Sequence, residues 1–152
     1  MKKMKGVITA MTTPFDEHDQ VDVKALEEQV DFLIEKGVNC LYPCGTTGEM
    51  FNMTPEEREL VAETVFRRAA GRVTVYIHVG AMTLKETIRL AQHAEKLGVD
   101  GIGVVTPGFF GIKDKAMIRY YQQVSASVSP DFPIYLYARV HVYEAPHVCR
   151  CP

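Results

Sequence analysis

Short apolar runs alternate with amphipathic segments along most of this chain, and that alternation restricts its fold more than any other feature. Gly6 to Met11 reads as a first strand, ending at Thr12-Thr13-Pro14. A polar loop runs from Asp16 to Asp22. Val23, Leu26, Val30 and Leu33 then recur at helical spacing, with Asp22 as N-cap and Gly37 closing the helix. Val38 to Cys44 is a second strand. Thr54-Pro55-Glu56-Glu57 has the form of a capping box with Pro at the first helical position. Leu60, Val61 and Val65 give that helix an apolar face, and Gly71 ends it. Val73 to Val79 is a third strand. Thr83-Leu84-Lys85-Glu86 reads as another capping box, opening a helix with Leu84, Ile88, Ala91 and Leu97 on one stripe. Gly98 stops it, and Val99 to Thr106 is a fourth strand. Asp114 caps a helix bearing Ile118, Tyr121 and Val124, and Pro133 to Tyr137 is a fifth strand.

One internal echo supports this division. Glu35-Lys36-Gly37-Val38-Asn39 and Glu95-Lys96-Leu97-Gly98-Val99-Asp100 both end a helix at Gly and launch a strand. Strictly alternating strands and helices, with apolar strands, predict a parallel sheet covered by helices. A doubly wound dinucleotide fold would place a Gly-x-Gly-x-x-Gly run after its first strand. Here that position holds Thr12-Thr13-Pro14. A (β/α)8 barrel instead gathers functional residues at the C-terminal ends of its strands, where Gly45–Glu49, Thr106-Pro107 and Tyr137 fall. The expected fold is therefore α/β, of the (β/α)8 TIM-barrel kind, here an incomplete barrel of about five βα units, since whole barrels take about 250 residues.

Gly45-Thr46-Thr47-Gly48-Glu49 lies between the second strand and the second helix. Glycines allow a tight turn, and successive N–H groups in such a turn form a concave site for an oxyanion. Two adjacent threonines add hydroxyl donors, so the carboxylate of a small keto acid suits this chemistry as well as a phosphate. The bland alternative is a surface turn, with Glu49 only a favourable charge before a helix.

The remaining composition narrows the partners. A net charge of −2 lacks the basic field of a nucleic-acid binder. Lys2, Lys3 and Lys5 are followed by no apolar h-region, so neither a signal peptide nor a membrane span is read and a cytoplasmic protein is expected. None of the four cysteines forms a Cys-x-x-Cys pair. Cys40 and Cys44 read as small buried hydrophobes. His147, Cys149 and Cys151 lack the second half of a metal motif, and His78 stands alone at a strand end, so no metal and no other cofactor is expected.

The chain resembles the N-terminal part of the dihydrodipicolinate synthase / N-acetylneuraminate lyase family of class I pyruvate aldolases. The resemblance rests on Gly6–Pro14 leading to Phe15, Gly45-Thr46-Thr47-Gly48-Glu49, Gly98-Val99-Asp100-Gly101, Thr106-Pro107 and Leu136-Tyr137. It implies an oligomeric lyase in which a lysine on a later strand forms a Schiff base with pyruvate. It implies that Thr46 and Tyr137 are catalytic, relaying protons, and that Thr47, with Gly45 and Gly48, binds the pyruvate carboxylate. The chemistry is sound, because an iminium ion is an electron sink and a phenol beside a threonine hydroxyl can move a proton.

Two departures bear on activity. Synthase members usually carry a tyrosine after Thr-Pro, where this chain has Gly108-Phe109-Phe110-Gly111. An N-acetylneuraminate lyase or a sugar-acid aldolase relative is therefore an alternative to a dihydrodipicolinate synthase. The likeness also stops after Tyr137. Residues 1–137 are expected to be the N-terminal part of the barrel, and 138–152 a divergent tail from truncation or a frame shift. No lysine follows Lys115. The Schiff-base lysine is expected to be missing, the chain to be inactive alone, and a half-barrel that binds or assembles without catalysis is the reading from another class.

Overall fold

The computed structural model of the chain describes residues 4–107 and 113–137. Five strands alternate with four helices: β1 (Ile8–Ala10), α1 (Val23–Glu35), β2 (Cys40–Tyr42), α2 (Pro55–Ala69), β3 (Thr74–His78), α3 (Leu84–Leu97), β4 (Gly101–Val105), α4 (Asp114–Ser125) and β5 (Ile134–Tyr137). The strands form one sheet in the order β1-β2-β3-β4-β5, and every pairing is parallel. Each helix returns the chain to begin the next strand beside the last, as right-handed crossovers do. The ladders are shorter than the apolar runs that announce them. The expected tail at 138–152, with His147, Cys149 and Cys151, and the Phe109-Phe110 run lie outside the described residues.

Helix ends follow local chemistry. The Asp22 carboxylate accepts the Ala25 amide at 2.9 Å. Thr54 and Glu57 close a full capping box: the Glu57 amide donates to Thr54 Oγ1 at 3.2 Å and the Thr54 amide to Glu57 Oε2 at 2.7 Å. Thr83 makes only half of one. Its Oγ1 accepts the Glu86 amide, while the Glu86 carboxylate takes the Thr83 hydroxyl at 2.9 Å instead of a backbone N–H. The expectation for Asp114 is corrected. Lys113 is the N-cap and makes no side-chain cap bond, and Asp114 is the first helical residue, where its charge still favours the dipole.

The core lies between sheet and helices. Leu41, Val75, Ile102 and Val104 point to it from the strands, and Leu26, Val30, Val61, Val65, Ala91 and Val124 from the helices. On α2 the expected face is rotated. Leu60 is 42% exposed, whereas Arg58 is 4% exposed. The inward stripe is Arg58, Val61, Ala62, Val65 and Ala69, a complete i, i+3, i+4, i+7 series once the arginine is counted. Charged pairs tie the helices together outside this core. Asp31 of α1 accepts from Arg68 of α2 and from Arg72 in the turn after it, and Arg89 of α3 reaches Glu56 and Glu59 of α2.

The opposite face of the sheet carries Tyr42, Tyr76, His78, Gly101, Gly103 and Val105, with Tyr135 and Tyr137 on β5. The ladder sets Tyr76 beside Gly101, His78 beside Gly103 and Val105 beside Tyr137. Large rings therefore lie over glycines. A Cβ on Gly101 would strike the Tyr76 ring, and one on Gly103 would strike the Tyr42 hydroxyl. The echo found in the sequence has a structural role here. Asn39 Oδ1 accepts the Val7 amide at 2.8 Å, and Asp100 Oδ2 accepts the Val75 amide at 2.9 Å. Each side chain extends a strand pairing by one rung, β1–β2 in one case and β3–β4 in the other.

Candidate functional site

The Gly45–Glu49 turn begins where β2 ends. The residues in the left-handed region are Cys44 (φ 61°) and Glu49 (φ 58°), which bracket the motif, rather than its glycines. Within the turn the Gly48 amide donates to the Gly45 carbonyl and the Glu49 amide to the Thr46 carbonyl, both at 3.1 Å. The Met50 amide returns to the Gly45 carbonyl at 3.2 Å. The Thr46 and Thr47 amides have no partner among the described residues, and both side chains are exposed.

Gly48 has a packing reason to be glycine. Its carbonyl accepts Thr13 Oγ1 at 2.9 Å. A Cβ there would come within 2.9 Å of the Met11 carbonyl oxygen and 3.2 Å of the Cys44 nitrogen. At Gly45 a Cβ would meet only the Tyr42 ring, at 3.8 Å.

Gly45, Thr46, Thr47 and Tyr137 line one cavity of about 280 Å³ at the C-terminal end of the sheet, together with Tyr42 and His78. Thr46 and Tyr137 also line a neighbouring cavity of about 510 Å³, walled by Thr106, Pro107 and Met82. Of Gly45, Thr46, Thr47, Gly48 and Tyr137, only Gly48 lines neither; it supports the turn from behind.

Three residues at this site were not legible in the motif. The Arg58 guanidinium is buried behind β3, donating to the Gly80 carbonyl at 3.0 Å and the His78 carbonyl at 2.8 Å. It meets no carboxylate within ion-pair distance among the described residues, and burial pulls its pKa down. The His78 ring packs edge-on to Tyr42, with centroids 5.9 Å apart. Its Nδ1 lies 3.1 Å from the Cys44 carbonyl, which can only accept, so Nδ1 carries the proton. Burial, helped by the Arg58 charge, pushes the imidazole down to about 4. Burial also raises the Tyr42 phenol and pushes the Cys44 thiol up to about 11. The lining is therefore neutral at pH 7, apart from the guanidinium behind it. The signal for Arg58 was the α2 spacing; Tyr42 and His78 had none beyond lying at strand ends.

No group of three or more His, Cys, Asp or Glu among the described residues is arranged to hold a metal. No described helix is long and apolar enough to cross a membrane.

A parallel sheet wrapped by helices, with a polar turn and a tyrosine meeting at the carboxyl ends of its strands, is the site layout of (β/α)8-barrel enzymes. The sequence profile of the dihydrodipicolinate synthetase family matches residues 3–141, and the chain belongs to that family. The chain is 40% identical over 139 residues to the N-acetylneuraminate lyase of Rattus norvegicus, covering 90% of this chain and 43% of that protein. It is 37% identical over 134 residues to the 4-hydroxy-tetrahydrodipicolinate synthase of Bartonella quintana, covering 88% and 45%. Among solved structures it superposes on YagE of E. coli K12, a member of the dihydrodipicolinic acid synthase family in complex with pyruvate, with a TM-score of 0.82 and 36% identity, covering 87% of this chain and 44% of that one. The chain spans less than half the length of these relatives, and its five strands and four helices form a partial (β/α)8 barrel.

Proposed function

We propose that this chain carries part of the active site of a pyruvate-dependent lyase of the class I aldolase type. The observation that supports it most is the convergence of Thr46, Thr47 and Tyr137 on one cavity, with the Thr46 and Thr47 amides lacking a partner among the described residues. The Thr46 and Thr47 N–H groups and the Thr47 hydroxyl hold the carboxylate of the keto acid. Thr46 and Tyr137 hand a proton to and from the carbon framework, the phenol acting as general acid and base. The carbonyl carbon faces the inner side of the sheet, where a neutral, partly apolar lining favours imine chemistry over hydration.

The imine nitrogen is not assigned to this chain. Every described lysine is exposed, and none lines either of these cavities. A dihydrodipicolinate synthase-like reaction is the primary assignment, with N-acetylneuraminate or 2-keto-3-deoxy sugar-acid cleavage as the alternative. The exposed lysines favour keto-acid binding without turnover by the chain alone.

Pyruvate titration of the chain tests this reading. Thr47→Val keeps the side-chain shape and removes one donor to a charged ligand, which costs about 1.5–3 kcal/mol, so the Kd should rise by about tenfold or more. Borohydride added to the pyruvate mixture should leave the intact mass unchanged. An unaltered Kd would reduce the motif to a turn, and one equivalent of adduct on a single lysine would place the nucleophile within this chain.

A further inference from the structure

The Tyr42 hydroxyl has no task in the reading above. Tyr42 is the last residue of β2, and its side chain lines the cavity shared by Thr46, Thr47 and Tyr137. From there the phenol reaches across β3 to β4. Its ring stands edge-on to that of His78, and its oxygen lies over Gly103, where a Cβ would strike it. The ladder sets Gly103 between His78 of β3 and Tyr135 of β5. The oxygen is therefore held over the middle of that face of the sheet, above a position that must be glycine to admit it. It is buried, and it has no hydrogen-bond partner among the described residues. Burial, above all other causes, raises the pKa of the phenol, so the hydroxyl keeps its proton at neutral pH and offers a donor. A buried hydroxyl left unpaired is unfavourable, which points to a ligand group that meets it.

Resting on the keto-acid reading of this cavity, we propose that Tyr42 is a further substrate-binding residue, whose phenolic O–H donates a hydrogen bond to the ketone oxygen of the bound 2-keto acid. The order of groups along the chain selects that atom. Under the keto-acid reading the carboxylate belongs to the Thr46 and Thr47 amides, in the turn that follows β2. Tyr42 stands on the strand itself, so it meets the part of the ligand nearer the sheet. A 2-keto acid carries its ketone on the carbon next to the carboxylate, and that oxygen can only accept. The phenol answers it with one O–H. No lysine or arginine lines this cavity among the described residues, and the His78 Nδ1–H is already spent on the Cys44 carbonyl. A neutral hydroxyl is thus what the floor of the site has to offer. A donor fixed at the ketone oxygen orients the ligand and draws electron density from the carbon that an amine attacks.

The test measures pyruvate affinity, urea unfolding and the ketone stretch of bound pyruvate, labelled with 13C at C2, in the 152-residue chain and in Tyr42→Phe. Tyr42→Phe keeps the ring against His78 and removes only the oxygen. Its urea midpoint should match or exceed that of the parent chain, because the hydroxyl has no partner among the described residues to lose. The Kd for pyruvate should rise about three- to tenfold, the size of one neutral hydrogen bond. In infrared difference spectra against unlabelled pyruvate, the ketone band of the parent complex should lie below that of free pyruvate and return towards it in Tyr42→Phe. Equal Kd values and equal band positions in the two chains would overturn the proposal and leave the keto-acid reading intact. A weaker Kd with a lowered urea midpoint and an unmoved band would make the hydroxyl a packing element, and would overturn it as well. Pyruvate binding to neither chain would remove both readings.

Discussion

The buried imidazole of His78 makes the stability of the fold depend on pH in a window that can be stated beforehand. In the unfolded chain a histidine titrates near 6.5; in the fold, burial and the Arg58 guanidinium hold His78 at about 4. Between those values the unfolded chain binds a proton that the folded chain refuses, so stability rises with pH across the window. It falls as the pH is lowered from 6.5 towards 4, and this group contributes no further loss below that. At about 1.4 kcal/mol per pH unit, the gap corresponds to about 3 kcal/mol at full protonation of the open chain. That is a large share of the roughly 5–15 kcal/mol that stabilises an ordinary domain. Urea unfolding of the chain and of His78→Gln, at several pH values from 7.5 to 4.5, isolates the term. Carboxylates held low by their partners, such as Asp31 and Glu56, act equally in both chains and cancel in the difference. The parent chain should lose stability relative to His78→Gln steadily from pH 6.5 downward. Parallel stability curves would mean that the imidazole takes up its proton in the fold as it does in the open chain, and the claim that burial holds it neutral would fall.

Three other outcomes are expected. Arg58→Ala strands the His78 and Gly80 carbonyls in a buried cavity and should cost about 3–5 kcal/mol in denaturant unfolding, whereas Arg58→Met refills the volume and should cost measurably less; equal losses would show that the cavity is immaterial and that the two lost hydrogen bonds carry the whole cost. Gly103→Ala drives a methyl group into the Tyr42 hydroxyl and should cost about 1–3 kcal/mol, with less loss when combined with Tyr42→Leu; strict additivity of the two changes would count against that contact. With β1 and β5 at the edges of the sheet and Tyr135, Leu136 and Tyr137 about half exposed, the chain should self-associate, and a monodisperse monomer in sedimentation velocity at micromolar concentration would contradict this.

The order of strands and helices was legible because local chemistry carries it. Asp22, Thr54 and Thr83 start helices through their own side chains, and Gly98 ends one in the left-handed region. Asp114 misled by a single position, since a carboxylate favours both the cap and the first turn. The site was legible as a motif but not as a geometry. The sequence directs attention to glycines, while the left-handed turning is done by Cys44 and Glu49, and Gly48 is fixed by the approach of Met11 and Thr13 from another strand's loop. Arg58 sits in a run of charges, Glu56-Glu57-Arg58-Glu59, that reads as a solvated face. Its burial depends on two carbonyls about twenty residues away in the chain, which no local pattern encodes.

The Asn39 and Asp100 side chains lengthen two strand pairings, β1–β2 and β3–β4, and leave the pairing between them without such a rung. The β2–β3 ladder is also the shortest, with two residue pairs against three or four elsewhere. Backbone bonds from Thr74 to the Asn39 carbonyl and from His78 to the Pro43 carbonyl, both at 3.2 Å, carry that pairing past its short ladder. The Gly45–Glu49 turn and His78 stand on opposite sides of that pairing, bridged by the Nδ1–H of His78 on the Cys44 carbonyl. A ligand that touches both the turn and the imidazole would add a further tie between β2 and β3, so that occupancy of the pocket and cohesion of the fold would rise together.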